Sequence, residues 1–166
     1  AANGATTIAT DDSDGTAGIL HLEADGEIRL EATSPQAVVG YNCAIGFNQY
    51  TWGYDATNTV VHVRDKGNKA FVTFGSGNIT NLQLYLPTCS CNVTLVLKQD
   101  GTGSRTVTNW KAYDSADNAA NGSATVLWAG GSAPTLSTGA NAVDILSFYW
   151  DATTEICYGV ASLNFS

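Results

Sequence analysis

The chain has 166 residues, 44% hydrophobic and only 13% charged, and its 7 Lys and Arg stand against 15 Asp and Glu, for a net charge of -8. Cations this few and scattered exclude counterion-driven binding to nucleic acid or to an anionic membrane surface. No apolar run approaches the roughly 18 residues of a membrane span.

Thr, Ser, Asn and 17 Gly take the place of the missing charge. Short neutral side chains and many glycines favour strands and turns over helices laced with Glu and Lys. A single domain of this size buries about 70% of its unfolded surface and is stable without metal or disulfide.

In chain order, residues 1–18 (AANGATTIATDDSDGTAG) have almost nothing to bury and show neither the basic start nor the apolar run of a signal peptide. They read as an extended N-terminal arm, with Thr6, Thr7 and Ile8 as candidate contacts to a neighbouring subunit. The acidic run Asp11, Asp12, Asp14, Gly15 fails as a calcium loop. Counting back from Gly15 puts Thr10 at the first ligand position and His21 at the twelfth, where acids belong.

Residues 19–31 predict a hairpin. A three-residue loop Ala24–Gly26 pairs Leu22 with Ile28 and Leu20 with Leu30, keeping one apolar face, with Gly26 left-handed at a bulge. Further strands are predicted at Gln36–Tyr41, Cys43–Tyr54, Thr59–Arg64, Ala70–Phe74, Ile79–Leu86, Asn92–Gln99, Arg105–Trp110, Thr125–Trp128, Ala142–Trp150 and Glu155–Leu163. Residues 111–125 are small and polar and read as an irregular insert with a turn of helix. Ten or more short strands punctuated by turns, with no internal repeat, predict one all-β domain over 19–166, a β-sandwich or jelly-roll-like barrel.

Little in the sequence supplies chemistry. Asp100–Ser104 lacks the third Gly of a dinucleotide loop and the Gly-Lys-Ser/Thr of a P-loop. Gly75-Ser76-Gly77 is too short for a nucleophile elbow. Two histidines, His21 and His62, lie far apart in sequence and offer little for a Ser-His-Asp site. Cys43, Cys89, Cys91 and Cys157 have no zinc spacing and fit buried thiols or one or two disulfides. No catalytic residue, cofactor or metal is therefore expected. Four Asn-x-Ser/Thr matches, at Asn78, Asn92, Asn121 and Asn164, are chance matches expected of an Asn- and Thr-rich chain. The aromatic segment Phe47, Tyr50, Trp52, Tyr54 is either a contact with other proteins or core, or a shelf for sugar rings.

Three segments carry a family likeness. TLVLKQDGTGSRTVT (Thr94–Thr108), WAGGSAPTLSTGANAVDILSF (Trp128–Phe148) and YGVASLNF (Tyr158–Phe165) resemble, in order, a β module that recurs in tailed-bacteriophage virion proteins. The likeness spans Val93–Asn164, where Gly101 and Gly103 permit the backbone of a hairpin loop, Gly130-Gly131 lets the chain turn after Trp128, and Leu136, Val143, Ile145 and Phe148 supply inward side chains. It departs from the family at the longer Lys111–Thr125 stretch and at the late turn Asp151–Cys157. It implies a virion location and a particle-surface structural protein, most simply a capsid decoration or cement protein bound to the major capsid protein or other virion proteins. The alternative it implies is a tail-fibre or receptor-binding module contacting host glycans. A homo-oligomer is expected, a trimer being one closed form.

Overall fold

The computed structural model describes residues 47–165, which belong to a compact unit starting at Gly46. The predicted arm with Thr6, Thr7 and Ile8, the 19–31 hairpin, the strand at 36–41 and Cys43 lie outside the described residues. The described chain is all-β. Its nine strands form a six-stranded sheet and a three-stranded sheet.

The first six strands alternate between the two sheets. Strands β1 (Tyr50–Trp52), β3 (Lys69–Thr73) and β5 (Cys91–Lys98) pair in parallel in the larger sheet. Strands β2 (Asn58–His62), β4 (Ile79–Tyr85) and β6 (Val107–Tyr113) pair in parallel in the smaller one. Each circuit of the chain thus adds one strand to each sheet. Tyr50 pairs with Ala70 and Ala70 with Leu95, steps of 20 and 25 residues. Asn58 pairs with Asn81 and Asn81 with Asn109, steps of 23 and 28. The structure therefore contains a repeat where none was expected. Unequal connecting loops shift each circuit against the next, which hides the period from a fixed-spacing comparison of sequence.

Past β6 the pattern changes. The strands β8 (Val143–Asp151) and β9 (Ile156–Phe165) pair antiparallel with each other, and β8 pairs antiparallel with β5. The short β7 (Val126–Trp128) lies parallel to β9 at the sheet's far edge. The parallel ladders of the first six strands are not the antiparallel pairing of a jelly roll.

The core lies between the sheets. Val61, Leu82, Leu84, Trp110 and Ala112 face it from the small sheet; Ala70, Val72, Leu95, Leu97, Leu146, Phe148, Trp150 and Cys157 face it from the large one. Register serves this burial, pairing Val93 with Phe148 and Leu95 with Leu146. In β4 the consecutive Thr80 and Asn81 amides both donate toward the β2 side, to Ala56 O and Thr57 O. This bulge changes the phase of the strand, so that Ile79 and then Leu82, Leu84 and Leu86 all point inward.

Two sequence readings change. In β8 the inward residues are Asp144, Leu146, Phe148 and Trp150, whereas Val143 and Ile145 face outward, contrary to their expected core role. Alternation about buried Phe148 and Trp150 fixes that phase. The loop Asp100–Ser104 is not a hairpin turn, since it carries the chain from β5 in one sheet to β6 in the other. At its tip Gly103 has φ +79, and a Cβ there would overlap the carbonyl of Thr138, so only glycine fits.

Candidate functional site

The outward side chains of the small sheet stack circuit upon circuit. Asn109 Nδ2 donates to Asn81 Oδ1 at 3.1 Å, and Asn81 Nδ2 donates to Asn58 Oδ1 at 3.0 Å. Gln83 Nε2 donates to the same Asn58 oxygen. One end of the sheet carries aromatic rings instead. His62 stacks on Tyr85 with centroids 5.1 Å apart, and Tyr85 on Tyr113 at 5.0 Å. Trp52 meets His62 at 5.4 Å and Tyr50 meets Trp52 at 4.6 Å. The five rings form one continuous row.

Of the expected aromatic contacts, the structure thus brings Tyr50 and Trp52 together and joins to them His62, Tyr85 and Tyr113, which sequence reading passed over. The signal was present: His62, Tyr85 and Tyr113 recur at the same spacing as Asn58, Asn81 and Asn109. Tyr54 is not part of the row; its ring is laid against Gly75, where a Cβ would meet Tyr54 Cδ1. Phe47 is 63% exposed, and Tyr50–Trp52 is all of the predicted 43–54 strand that the described residues contain.

Charged groups border this row. The Arg64 guanidinium lies 5.3 Å from the Tyr85 ring centre and Lys66 Nζ lies 5.7 Å from that of Tyr50. Arg64 Nη1 also donates to Asp117 Oδ1 at 2.7 Å and to Ser115 O at 2.8 Å, tying the helical turn α1 (Val63–Lys66) to the 111–125 insert. The Asp117 hydrogen bond raises the Arg64 pKa. His62 Nδ1 sits 3.3 Å from Asp65 Oδ2 without the alignment of a hydrogen bond. Tyr85, stacked on both sides, offers edges rather than open faces to a ligand.

The large sheet presents a different surface. Outward from β5, β8 and β9 point Asn92, Thr94, Val96, Ile145, Ser147, Tyr149, Tyr158 and Val160. Tyr149 and Tyr158 are cross-strand partners, 47% and 44% exposed, with ring centres 6.5 Å apart. They line an open groove of about 350 Å³ with Val160, Asn92, Thr94 and Ser147. Charge is confined to the margins. Lys69 donates to Thr94 Oγ1, and Asp151 caps its own turn at the end of β8. A second open groove, about 410 Å³, runs past Trp110, Trp128, Asn109, Ser123 and Thr125.

The residues of the phage-like motifs build structure. Gln99 is buried and grips Arg105, accepting from its N–H and donating to its carbonyl. Asp100 Oδ2 accepts from Arg105 Nε at 3.0 Å and Nη2 at 2.8 Å, while Oδ1 accepts from the Thr102 and Gly103 amides. The Trp128 ring closes over Gly159, where a Cβ would come within 2.8 Å. Gly130 and Gly131 turn the chain with φ of +80 and +81. Gln99, Asp100, Arg105 and Trp128 thus complete internal contacts.

Among the described residues no group of three or more His, Cys, Asp or Glu could hold a metal ion. Cys89, Cys91 and Cys157 are free thiols. Burial pushes the Cys157 pKa up to about 12 and raises that of Cys91, which keeps both protonated and poorly nucleophilic.

Four carboxylates titrate below their ordinary range. The Arg105 hydrogen bond lowers Asp100, the Asn58 amide lowers Asp55, the Asn118 amide lowers Asp114, and the Thr154 hydroxyl lowers Asp151. A depressed folded-state pKa gives stability that is complete above the unfolded value, about 3.9 for Asp, and lost as pH falls through the folded value. Thermal melts should therefore be flat near neutrality and fall below about pH 4. Asp100→Asn should lower the melting temperature at neutral pH and make that acid decline shallower. An unchanged acid slope would remove Asp100 from the account.

No protein-family model, curated protein or solved structure matches this chain.

Proposed function

We propose that this chain is a non-catalytic structural protein of a bacteriophage particle surface, most simply a capsid decoration or cement protein. The architecture is read as a two-layered β-sandwich wound as a short solenoid, with β7, β8 and β9 as its cap. Solenoids need such end pieces, because an open end leaves unpaired strand edges that promote aggregation. The segments that resemble the phage module are the last circuit and this cap, and their polar residues serve its internal bonding.

The observation that carries the reading is the outward face of the large sheet. Tyr149, Tyr158 and Val160 are half-exposed among neutral neighbours, with charge kept to the margins. Contiguous apolar surface of this kind marks contact with other proteins. Docked on a major capsid protein or another virion protein, it would stabilise the assembled shell by mass action, since a subunit that binds only the assembly shifts its equilibrium. Negative-stain images of source particles labelled with an antibody to this chain should show signal over the head. Signal confined to the tail tip would overturn the cement assignment.

The aromatic row favours a second reading, a tail-fibre or receptor-binding module that meets host glycans. Tyr50 is 43% exposed at the row's end, beside Trp52. Under that reading Trp52→Ala abolishes cell binding; a cement protein shows no cell binding to lose.

A further inference from the structure

We propose that the groove beside Trp128, where β6 meets residues 123–126, is a binding site for a neutral saccharide. Its volume of about 410 Å³ lies within the range of small-molecule sites. Asn109 and Lys111 line it from β6, Ser123 and Thr125 from the insert, and the half-buried Trp128 from the end of β7. Trp128 is fixed edge-on against Trp110, with ring centres 5.1 Å apart. Among the described residues no carboxylate lines the groove.

The polar groups are ordered before any ligand arrives. The amides of the small sheet all run one way, Asn109 Nδ2 donating to Asn81 Oδ1 and Asn81 Nδ2 to Asn58 Oδ1. Strand β6 is the last of that sheet, so no further amide follows, and among the described residues no group donates to Asn109 Oδ1. Bonds aligned in one direction polarise one another. The ladder thus ends at the groove on a strengthened acceptor that calls for a donor. On the insert, Ser123 Oγ donates to Asn121 Oδ1 at 2.7 Å and lies 3.0 Å from Thr125 Oγ1, while Asn121 Nδ2 donates to Thr125 O. This wall is strained: Asn121, Gly122 and Ala124 have φ of +47, +72 and +56. Ala124 is kept in that conformation by its N–H to Ala120 O and by Ala112 N–H to its own carbonyl. Strain of this kind collects at ligand clamps.

The donor set selects the ligand. Two hydroxyls, an amide oxygen and an ammonium exchange hydrogen bonds with a molecule that both donates and accepts, and Trp128 adds apolar surface. A sugar ring carries hydroxyls on its rim and C–H groups on its faces, which meets both demands. A peptide strand would need a free sheet edge, whereas the β6 edge is closed by the Ala112–Ala124 bond and the bridges Lys111–Thr125 and Tyr113–Ala119. An anion would meet a single cation, Lys111, on a chain of net charge -8. The site uses no residue of the aromatic row and does not depend on where the protein sits on a particle, so it and the proposed function can fail separately.

The test exposes the full chain to an array of immobilised neutral, sialylated and sulfated glycans. The strongest neutral hit is then titrated as a free oligosaccharide, read by tryptophan fluorescence. Binding to neutral glycans is expected, with hydrogen exchange slowed at 123–126 and unchanged at 50–52. Asn109→Ala and Thr125→Val, both at exposed positions, should each weaken binding about tenfold with an unchanged melting temperature. Trp52→Ala should leave binding intact. Absence of binding to every neutral glycan, binding confined to charged ones, or binding lost through Trp52→Ala and indifferent to both groove variants would overturn the proposal. If the groove variants misfold, exchange at 123–126 in the unaltered protein decides.

Discussion

Trp150→Ala should lower the stability of this protein by about 3–5 kcal/mol, the range for truncating a buried aromatic. In a unit of this size that is a melting shift on the order of 10–20 °C. Trp150 is 1% exposed and sits on β8 between Cys91 of β5 and Cys157 of β9. Its indole Nε1–H donates to Pro87 O at 2.8 Å, which fastens the chain between β4 and β5 to the large sheet. The variant loses both packing and tether. Trp150→Phe separates them, keeping most of the volume while leaving the Pro87 carbonyl without its donor, and should cost about 1–2 kcal/mol. Denaturant melts of the two variants measure the difference. Equal losses would mean that the hydrogen bond, rather than the buried volume, holds the region.

Asp144→Ala should be the second most damaging change, at about 3 kcal/mol, because a buried carboxylate that satisfies several donors is removed and the donors remain. Asp144 is 1% exposed on the inward face of β8. Its oxygens accept from the Ser137 N–H and hydroxyl and from the Asn164 N–H. Asn164 lies at φ +66, next to the register shift between Val143 and Ile145 in the β8–β9 ladder. The carboxylate therefore binds the 132–142 loop and the end of β9 to one point. Hydrogen exchange should quicken at 137 and 162–165 well before the core of β5. Asp144→Asn retains one acceptor and should lose less. Uniform exchange throughout would show that the network does not act locally.

The two changes also show where sequence reading succeeds and fails. Trp150 was legible as an apolar position in a strand. Asp144 was not, since an acid between Val143 and Ile145 reads as the solvent side of the strand, with those two as core. Only the phase set by Phe148 and Trp150 against the facing sheet turns the acid inward, where Ser137 and Asn164 supply donors distant in sequence. The aromatic site was half legible in the same way. Tyr50 and Trp52 stood out as a local cluster, but their neighbours His62, Tyr85 and Tyr113 come from later circuits.

Sequence by itself determined the all-β character, the positions of strands β3 to β9 within a few residues, and the turn at Gly130–Gly131. These follow from local alternation, turn chemistry and composition, which act over a few neighbouring residues. The tertiary structure decided which strands share a sheet, their parallel direction, and the Asn and aromatic ladders. Those depend on register between segments 20 to 28 residues apart. Loops of unequal length set that register, and burial of both inner faces at once selects it.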